Sequence, residues 1–183
     1  MILTSANQVN LYYLDDKFNE FKKLYEKKHL PNQILLSGQK GSGKCTLAYH
    51  LINYILSIDE DYSYDHKKFK INKENKSYKL MQNNTHPNFQ LIDIPDEKKK
   101  IDINQIRNLI QNLSKFSFNQ KPRFVLIDNI EYLNISSINA LLKILEEPSE
   151  NVFFILINNN KHVLKTLLSR CINFKINLTN KDC

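Results

Sequence analysis

Apolar residues in this chain form two kinds of pattern, short continuous runs and segments with helical spacing, and the two kinds alternate. The segments at 34–37, 89–94, 124–128, 152–157 and 172–176 predict strands, and those at 34–37 and 124–128 are expected to be buried. Apolar positions with helical spacing predict helices at 17–28, 44–58, 103–113, 135–147 and 163–168. Because strands alternate with helices, we expect an α/β fold with a parallel five-stranded sheet sandwiched between helices.

The segment from about 59 to 87 interrupts this alternation. It is polar, rich in lysine and almost without periodicity, which predicts a solvated insertion. The whole range 1–183, with this insertion inside it, is expected to be one domain. Asp102 precedes the helix at 103–113 and is the predicted N-cap residue.

Composition is compatible with one globular core. The chain has 183 residues, 42% hydrophobic and 25% charged, so extensive disorder is not expected. No apolar run approaches the ~20 residues that span a bilayer, and we expect no membrane partner. Cys45, Cys171 and Cys183 are odd in number and far apart. They argue against a disulfide framework and fit the reducing cytoplasm.

The net charge of +7 has two interpretations. A basic chain can bind nucleic acid. Alternatively, the abundance of lysine and asparagine reflects a general bias of codon usage. Charge alone does not separate these two explanations.

The glycines are the strongest chemical signal. There are 3 in the chain, and Gly38, Gly41 and Gly43 lie close together between a predicted strand and a predicted helix. With Ser42 and Lys44 they fit the G-x-x-x-x-G-K part of a phosphate loop, whose backbone amides and lysine bind nucleotide phosphates. The alternative is a glycine turn beside a surface lysine. The pattern predicts a site for ATP or ADP with Mg²⁺.

The position that normally supplies a hydroxyl to Mg²⁺ departs from this pattern. Cys45 occupies it, and Thr46 follows. Mg²⁺ prefers oxygen ligands, and a thiol is a poor substitute. Thr46 is rotated by about 100° around the helix, so it does not simply replace Cys45. We therefore expect nucleotide binding with weakened metal coordination.

Asp128 ends a predicted strand and fits a Walker B carboxylate that orients the water shell of Mg²⁺. The alternative is a helix cap or loop aspartate. Asn129 follows, and an amide cannot accept a proton from water as a carboxylate does. Glu131 is expected to point elsewhere. These features predict that the chain's own ATPase activity is weak or absent.

Several motifs carry a family resemblance. Residues 138–148 read INALLKILEEP, 169–171 read SRC, and 86–88 read HPN before a strand. In this order they resemble the bacterial clamp-loader subunits of DNA polymerase III, and among these the delta-prime type. The gamma/tau type usually has an intact phosphate loop and a Walker B glutamate, which this chain lacks.

The resemblance implies an AAA+ P-loop NTPase domain within a ring of clamp-loader subunits, and a role in DNA replication. Its expected partners are gamma/tau and delta subunits, the sliding clamp indirectly, and primer–template DNA. It implies that Arg170 is an arginine finger acting in trans on a neighbour's nucleotide. It also implies that Asn158 is the polar sensor residue, with the adjacent Asn159 and Asn160 as alternatives.

Other family features are missing. Many members carry a zinc-binding cysteine cluster after the phosphate-loop helix, but 59–87 contains no cysteine, so we expect no zinc. The sequence ends soon after its last predicted strand, so the lid and collar domains are expected to be absent. Three alternatives remain: a gamma/tau-type ATP-hydrolysing subunit, an autonomous P-loop kinase, and a basic nucleic-acid-binding module without nucleotide chemistry.

Overall fold

A computed structural model describes residues 4–95, 99–114, 119–149, 151–159 and 162–177. The α-helices are α1 (Asp15–Glu26), α2 (Lys44–Leu56), α3 (Lys76–Gln82), α4 (Ile103–Leu113), α5 (Ile135–Glu146) and α6 (Lys165–Leu168). The strands are β1 (Gln33–Ser37), β2 (Phe89–Ile92), β3 (Arg123–Ile127), β4 (Val152–Asn158) and β5 (Ile172–Lys175). A 3-10 helix, Ile130–Tyr132, follows β3.

The strands form one parallel sheet of 5 strands in the order β2-β3-β4-β1-β5. In this register Ser37 at the end of β1 lies beside Asn158 at the end of β4. Ile127 at the end of β3 pairs with Leu156. The carboxyl ends of β1, β3 and β4 therefore meet at one edge, where open α/β sheets place their ligands.

A hydrophobic core covers each face of the sheet. Successive strand side chains point to opposite faces. Ile34 and Leu36 accordingly pack with Phe18 of α1 and Leu47 of α2, whereas Leu35 lies in the core on the other face. The second core includes buried residues of α4 and α5. The predicted parallel sheet between helices is confirmed.

The segment at 59–87, predicted as a solvated insertion, is largely exposed but also contributes to the core. Tyr64, Ile71 and Met81 are buried and join the core beside α2. The Tyr64 ring stacks on Phe18, with ring centroids 5.0 Å apart. Isolated apolar side chains thus anchor the segment, and they show no periodicity because they do not share one element.

Helix boundaries confirm two predictions and correct one. Asp102 caps α4, and together with Gln105 it forms a complete capping box. The helix predicted at 103–113 has these same bounds. The helix predicted at 44–58 ends earlier, at Leu56, and Ile58 beyond its end is 49% exposed.

Two further findings concern the described residues. None of their helices is long and apolar enough to cross a bilayer. Cys45 and Cys171 are free thiols, and Cys183 lies outside the part of the chain that the structure describes.

Candidate nucleotide site and arginine finger

The phosphate loop begins at a point where only glycine fits. Gly38 follows β1 with φ +155°, and a Cβ atom there would lie 2.1 Å from the backbone oxygen of Ile176. Ile176 is fixed in place because its backbone N–H donates to the oxygen of Ser37 at 2.8 Å. The chain after β5 therefore packs directly on the start of the loop.

The end of the loop leads into α2 without a side-chain cap. Gly43, the N-cap residue, has φ +78°, and no side chain bonds to the first-turn amides. Gly41 has φ +85°, and a Cβ atom there would meet nothing within 4 Å. An uncapped helix start beside open space can accept an anion, because its N–H groups carry partial positive charge.

Lys44 is folded back over this loop. Its Nζ donates to the backbone oxygens of Gly38 at 3.0 Å and Gln39 at 2.6 Å, and lies 3.3 Å from Ser42 Oγ. The residue is 3% exposed. Burial lowers the pKa of its ammonium group, and the negative charges of Asp128 and Glu131 oppose that shift. The loop thus supplies its own acceptors for the lysine, and an incoming phosphate must replace them.

Asp128 lies directly after β3 and close to Cys45. Burial raises the pKa of the Asp128 carboxyl, as does the charge of Asp93, while the nearby Cys45 thiol lowers it. Burial raises the pKa of Cys45 well above its usual range, and the charge of Asp128 adds to this shift. The thiol therefore stays protonated beside the carboxyl group. Thr46 is partly buried in the same helical turn.

A chain of polar side chains crosses the strand ends. Asn129 has φ +56°, and its amide donates to Asp93 Oδ1 at 2.8 Å. The Asn159 amide in turn donates to Asn129 Oδ1 at 3.0 Å. Asn129 thus bridges two neighbouring residues instead of standing free as a base.

Sequence reasoning missed Asp93 as a member of this cluster, and it named Asn159 only as an alternative to Asn158. A signal for Asp93 was present, because it follows the apolar run of β2 as Asp128 follows that of β3. Glu131 was expected to point elsewhere. Instead, its carboxylate accepts the backbone N–H of Asn159 at 3.4 Å, and its charge acts on Lys44 and Asp128.

Asn158, the predicted sensor, ends β4 and is 8% exposed. It lies beside Ser37 in the sheet, one residue before the loop. Asn159 makes the contact with Asn129, and Asn160 lies outside the described residues. The position of Asn158 beside the loop is compatible with a sensor, and its role stays a prediction.

The residues present fit a phosphate better than Mg²⁺. Open space at Gly41 and the uncapped start of α2 suit an anion. At the metal position, however, the Cys45 thiol faces Asp128 in place of a hydroxyl, and thiols are poor Mg²⁺ ligands. Across the described ranges, no group of three or more His, Cys, Asp or Glu side chains is arranged to hold a metal ion.

Arg170 lies apart from these residues. Its Nη1 donates to the backbone oxygen of Thr166 at 2.8 Å, and its Nη2 forms an ion pair with Glu146. Ser169 Oγ also donates to Thr166, at 3.0 Å. Cys171 packs partly buried against the core that includes α5, and burial raises the pKa of its thiol to about 11. Within the SRC motif, Arg170 is therefore the residue that presents charge to the surface.

Comparison with known proteins identifies relatives. The family model described as DNA polymerase III, delta subunit matches residues 14–180. The delta' subunit of DNA polymerase III from Buchnera aphidicola subsp. Schizaphis graminum is 30% identical over 91% of this chain and 49% of that protein. The gamma subunit from the same organism is 30% identical over 88% of this chain and 46% of that protein. The chain thus spans about half the length of these curated relatives.

The fold has a solved counterpart. The crystal structure of a DNA polymerase III gamma subunit-related protein from Thermotoga maritima matches with a TM-score of 0.61 at 21% identity, covering 91% of this chain and 47% of that one. This likeness and the sheet order confirm the AAA+ α/β fold. Since the family model covers nearly the whole described chain and delta' subunits are among its relatives, the chain belongs to the DNA polymerase III delta-subunit family.

Proposed function

We propose that this chain is the nucleotide-binding domain of a delta'-type clamp-loader subunit of DNA polymerase III, which helps to load the sliding clamp onto primed DNA. In this proposal Arg170 acts on the nucleotide of a neighbouring subunit. The chain's own site hydrolyses ATP weakly or not at all. Support comes from the family match over 14–180 and from the chemistry of the site.

The placement of Cys45 beside Asp128 is the observation that carries the proposal. Hydrolysis in P-loop ATPases needs Mg²⁺ and a group that orients water. Here the carboxylate expected to serve the metal has a thiol as its neighbour in place of a hydroxyl. Asn129, at the position of the water-activating group, donates to Asp93. Both requirements for hydrolysis are thus compromised by residues that contact one another.

A nucleotide phosphate still has suitable partners. In the proposed complex the amides around Gly41, Ser42 and Gly43 bind phosphate oxygens of ATP or ADP, and Lys44 exchanges its loop carbonyls for the phosphate. Bound nucleotide would then be structural. Thr46 directly follows Cys45 in the sequence. In this proposal it does not replace the missing metal ligand, because its hydroxyl lies on a different side of the helix.

Arg170 supports the role in trans. Its side chain is 30% exposed and its partners lie on α5 and α6, away from the chain's own phosphate loop. An exposed guanidinium can stabilise charge on a γ-phosphate across an interface. Gamma and delta subunits are the proposed neighbours, and the clamp and primer–template DNA the proposed substrates of the assembly.

A gamma/tau-type role is the main alternative. Overall identity does not separate the two, because the delta' and gamma relatives are both 30% identical. Cys45 and Asn129 favour the delta' type, since an ATP-hydrolysing subunit needs a hydroxyl and a carboxylate at these positions.

The test is the ATPase rate of a gamma-type partner in the complete clamp-loader complex. Replacing Arg170→Ala in the subunit should lower the partner's kcat by about 1,000-fold or more, given the usual effect of an arginine finger. Arg107→Ala is the matched control, because Arg107 is an exposed arginine on α4. Equal rates for wild type and Arg170→Ala would reject the role in trans.

A further inference from the structure

The guanidinium of Arg170 is held by two elements of its own subunit. Nη2 pairs with Glu146, the last residue of α5, and Nη1 donates to the Thr166 oxygen in α6 at 2.8 Å. Both partners precede Arg170 in the sequence, by 24 and 4 residues, and they lie in two different helices. Two attachment points fix both the position and the tilt of a planar group.

The same contacts leave the guanidinium able to bind an anion. Arginine has five N–H donors in a rigid fork, and the two bonds engage two of them. The Arg170 side chain remains 30% exposed and that of Glu146 53% exposed. Because Glu146 is so exposed, water and salt screen its charge, and its repulsion toward a nearby phosphate is small.

We propose that Glu146 is a positioning residue that orders Arg170 for the neighbouring subunit's nucleotide. This inference rests on the proposed function of Arg170 in trans. A long, flexible side chain loses rotamer freedom when it engages a ligand. Glu146 restricts the rotamers of Arg170 before the subunits meet, so Arg170 loses less side-chain entropy when it engages the transition state. The neighbouring Glu147 is also exposed, yet among the described residues the ion pair of Arg170 is with Glu146.

The size of the effect follows from exposure. Surface ion pairs contribute little, so losing Glu146 should cost about two- to fivefold in the partner's kcat, far less than losing Arg170 itself. The KM for ATP should not change, because ordering the finger acts on the chemical step. Glu146→Gln keeps a carbonyl oxygen that accepts from Nη2, so it should restore most of the rate.

The experiment compares partner ATPase in the complete complex with wild type, Glu146→Ala, Glu146→Gln and the matched control Glu147→Ala. We expect a lower kcat at constant KM for Glu146→Ala, near wild-type values for Glu146→Gln, and no change for Glu147→Ala. A double variant with Arg170→Ala should be no slower than Arg170→Ala alone. Thermal unfolding of each variant verifies that it is folded. If Glu146→Ala does not fold, the partner's kcat is compared between wild type and Glu146→Gln instead.

The outcomes separate this inference from the function on which it rests. If Arg170→Ala slows the partner and Glu146→Ala does not, the finger stands and the positioning role is wrong. The positioning role is also wrong if Glu146→Ala raises the partner's kcat, or if Glu147→Ala lowers kcat as much as Glu146→Ala does. It is wrong as well if Glu146→Ala changes only the KM. If Arg170→Ala has no effect, the proposed function itself fails.

Discussion

The Cys45 thiol and the Asp128 carboxyl lie close enough that each shifts the pKa of the other, so the two groups expected to serve one metal ion face each other. The contact joins the first turn of α2 to the end of β3. The phosphate loop is therefore followed by a protonated thiol, where other P-loop proteins have a hydroxyl that binds Mg²⁺.

Cys45→Thr should therefore strengthen Mg²⁺-dependent nucleotide binding. The substitution supplies a hydroxyl oxygen at the metal position and frees Asp128 from the thiol. ATP affinity should rise in the presence of Mg²⁺, by up to about tenfold if one good ligand is gained. Calorimetric titration of ATP into wild type and variant measures it.

The control for that titration omits Mg²⁺. Without the metal, Cys45→Thr should bind ATP as wild type does, because the loop amides and Lys44 are unchanged. Equal affinities in both conditions would show that Cys45 is not what weakens the metal site.

Glycine substitutions test the packing of the loop. A Cβ atom at Gly38 would overlap the Ile176 backbone oxygen at 2.1 Å, and backbone cannot rotate away. Gly38→Ala should lower the free energy of unfolding by more than about 2 kcal/mol. Gly41→Ala is the matched control, because its site is open and only the positive φ costs energy, about 1–2 kcal/mol. Urea unfolding ranks the two variants, and an equal loss would contradict the contact with Ile176.

The sheet and most helices could be predicted because their residues are periodic. The central strands β1, β3 and β4 are built around apolar runs, and the helices α4 and α5 carry one apolar face. The segment 59–87 could not, because Tyr64, Ile71 and Met81 reach the core from different turns among exposed lysines. Such burial depends on tertiary packing, which local spacing does not encode.

The site shows the same division. The glycine loop and Asp128 were predictable, because their chemistry lies within a few consecutive residues. The contacts of Asn129 with Asp93 and Asn159 were not, since they join residues 36 and 30 positions apart. Only the parallel register brings these strand ends together. The Glu146–Arg170 pair likewise depends on how α5 and α6 pack.

Asn75 tests whether polar contacts hold the 59–87 segment. Its buried side chain accepts from the Tyr78 N–H at 2.7 Å, as the cap of α3, and from the Asn53 amide at 3.1 Å. Its own amide donates to the Tyr62 oxygen at 2.8 Å. Asn75→Ala should lower the free energy of unfolding by about 2–3 kcal/mol, because it removes a cap and leaves buried groups without partners.

The matched control is Asn83→Ala at the other end of the same helix. Asn83 is exposed and its backbone conformation suits alanine, so the change should stay within about 0.5 kcal/mol. Chemical denaturation followed by circular dichroism compares the two. Similar values for both variants would mean that the segment does not depend on its buried amides.

A buried and a half-buried histidine predict how the fold responds to acid. Burial lowers the pKa of His50 and of His86 to about 4, from an ordinary 6.5. In the neutral His50 ring, Nε2 donates to the Gln8 oxygen and Nδ1 accepts from the Tyr64 hydroxyl. Between pH 6.5 and 4 the unfolded chain binds more protons than the folded one, so stability falls as the pH falls through this window.

Because His50 stays neutral in the folded protein but is protonated in the unfolded chain, this residue alone should lower the free energy of unfolding by on the order of 3 kcal/mol between pH 7 and pH 4. Urea unfolding at a series of pH values measures the slope. His50→Gln should flatten the curve between pH 6.5 and 4, because glutamine does not titrate, whereas His66→Gln at an exposed position is the control and should leave it unchanged. An identical slope in wild type and His50→Gln would show that the buried ring is not the group whose protonation opposes folding.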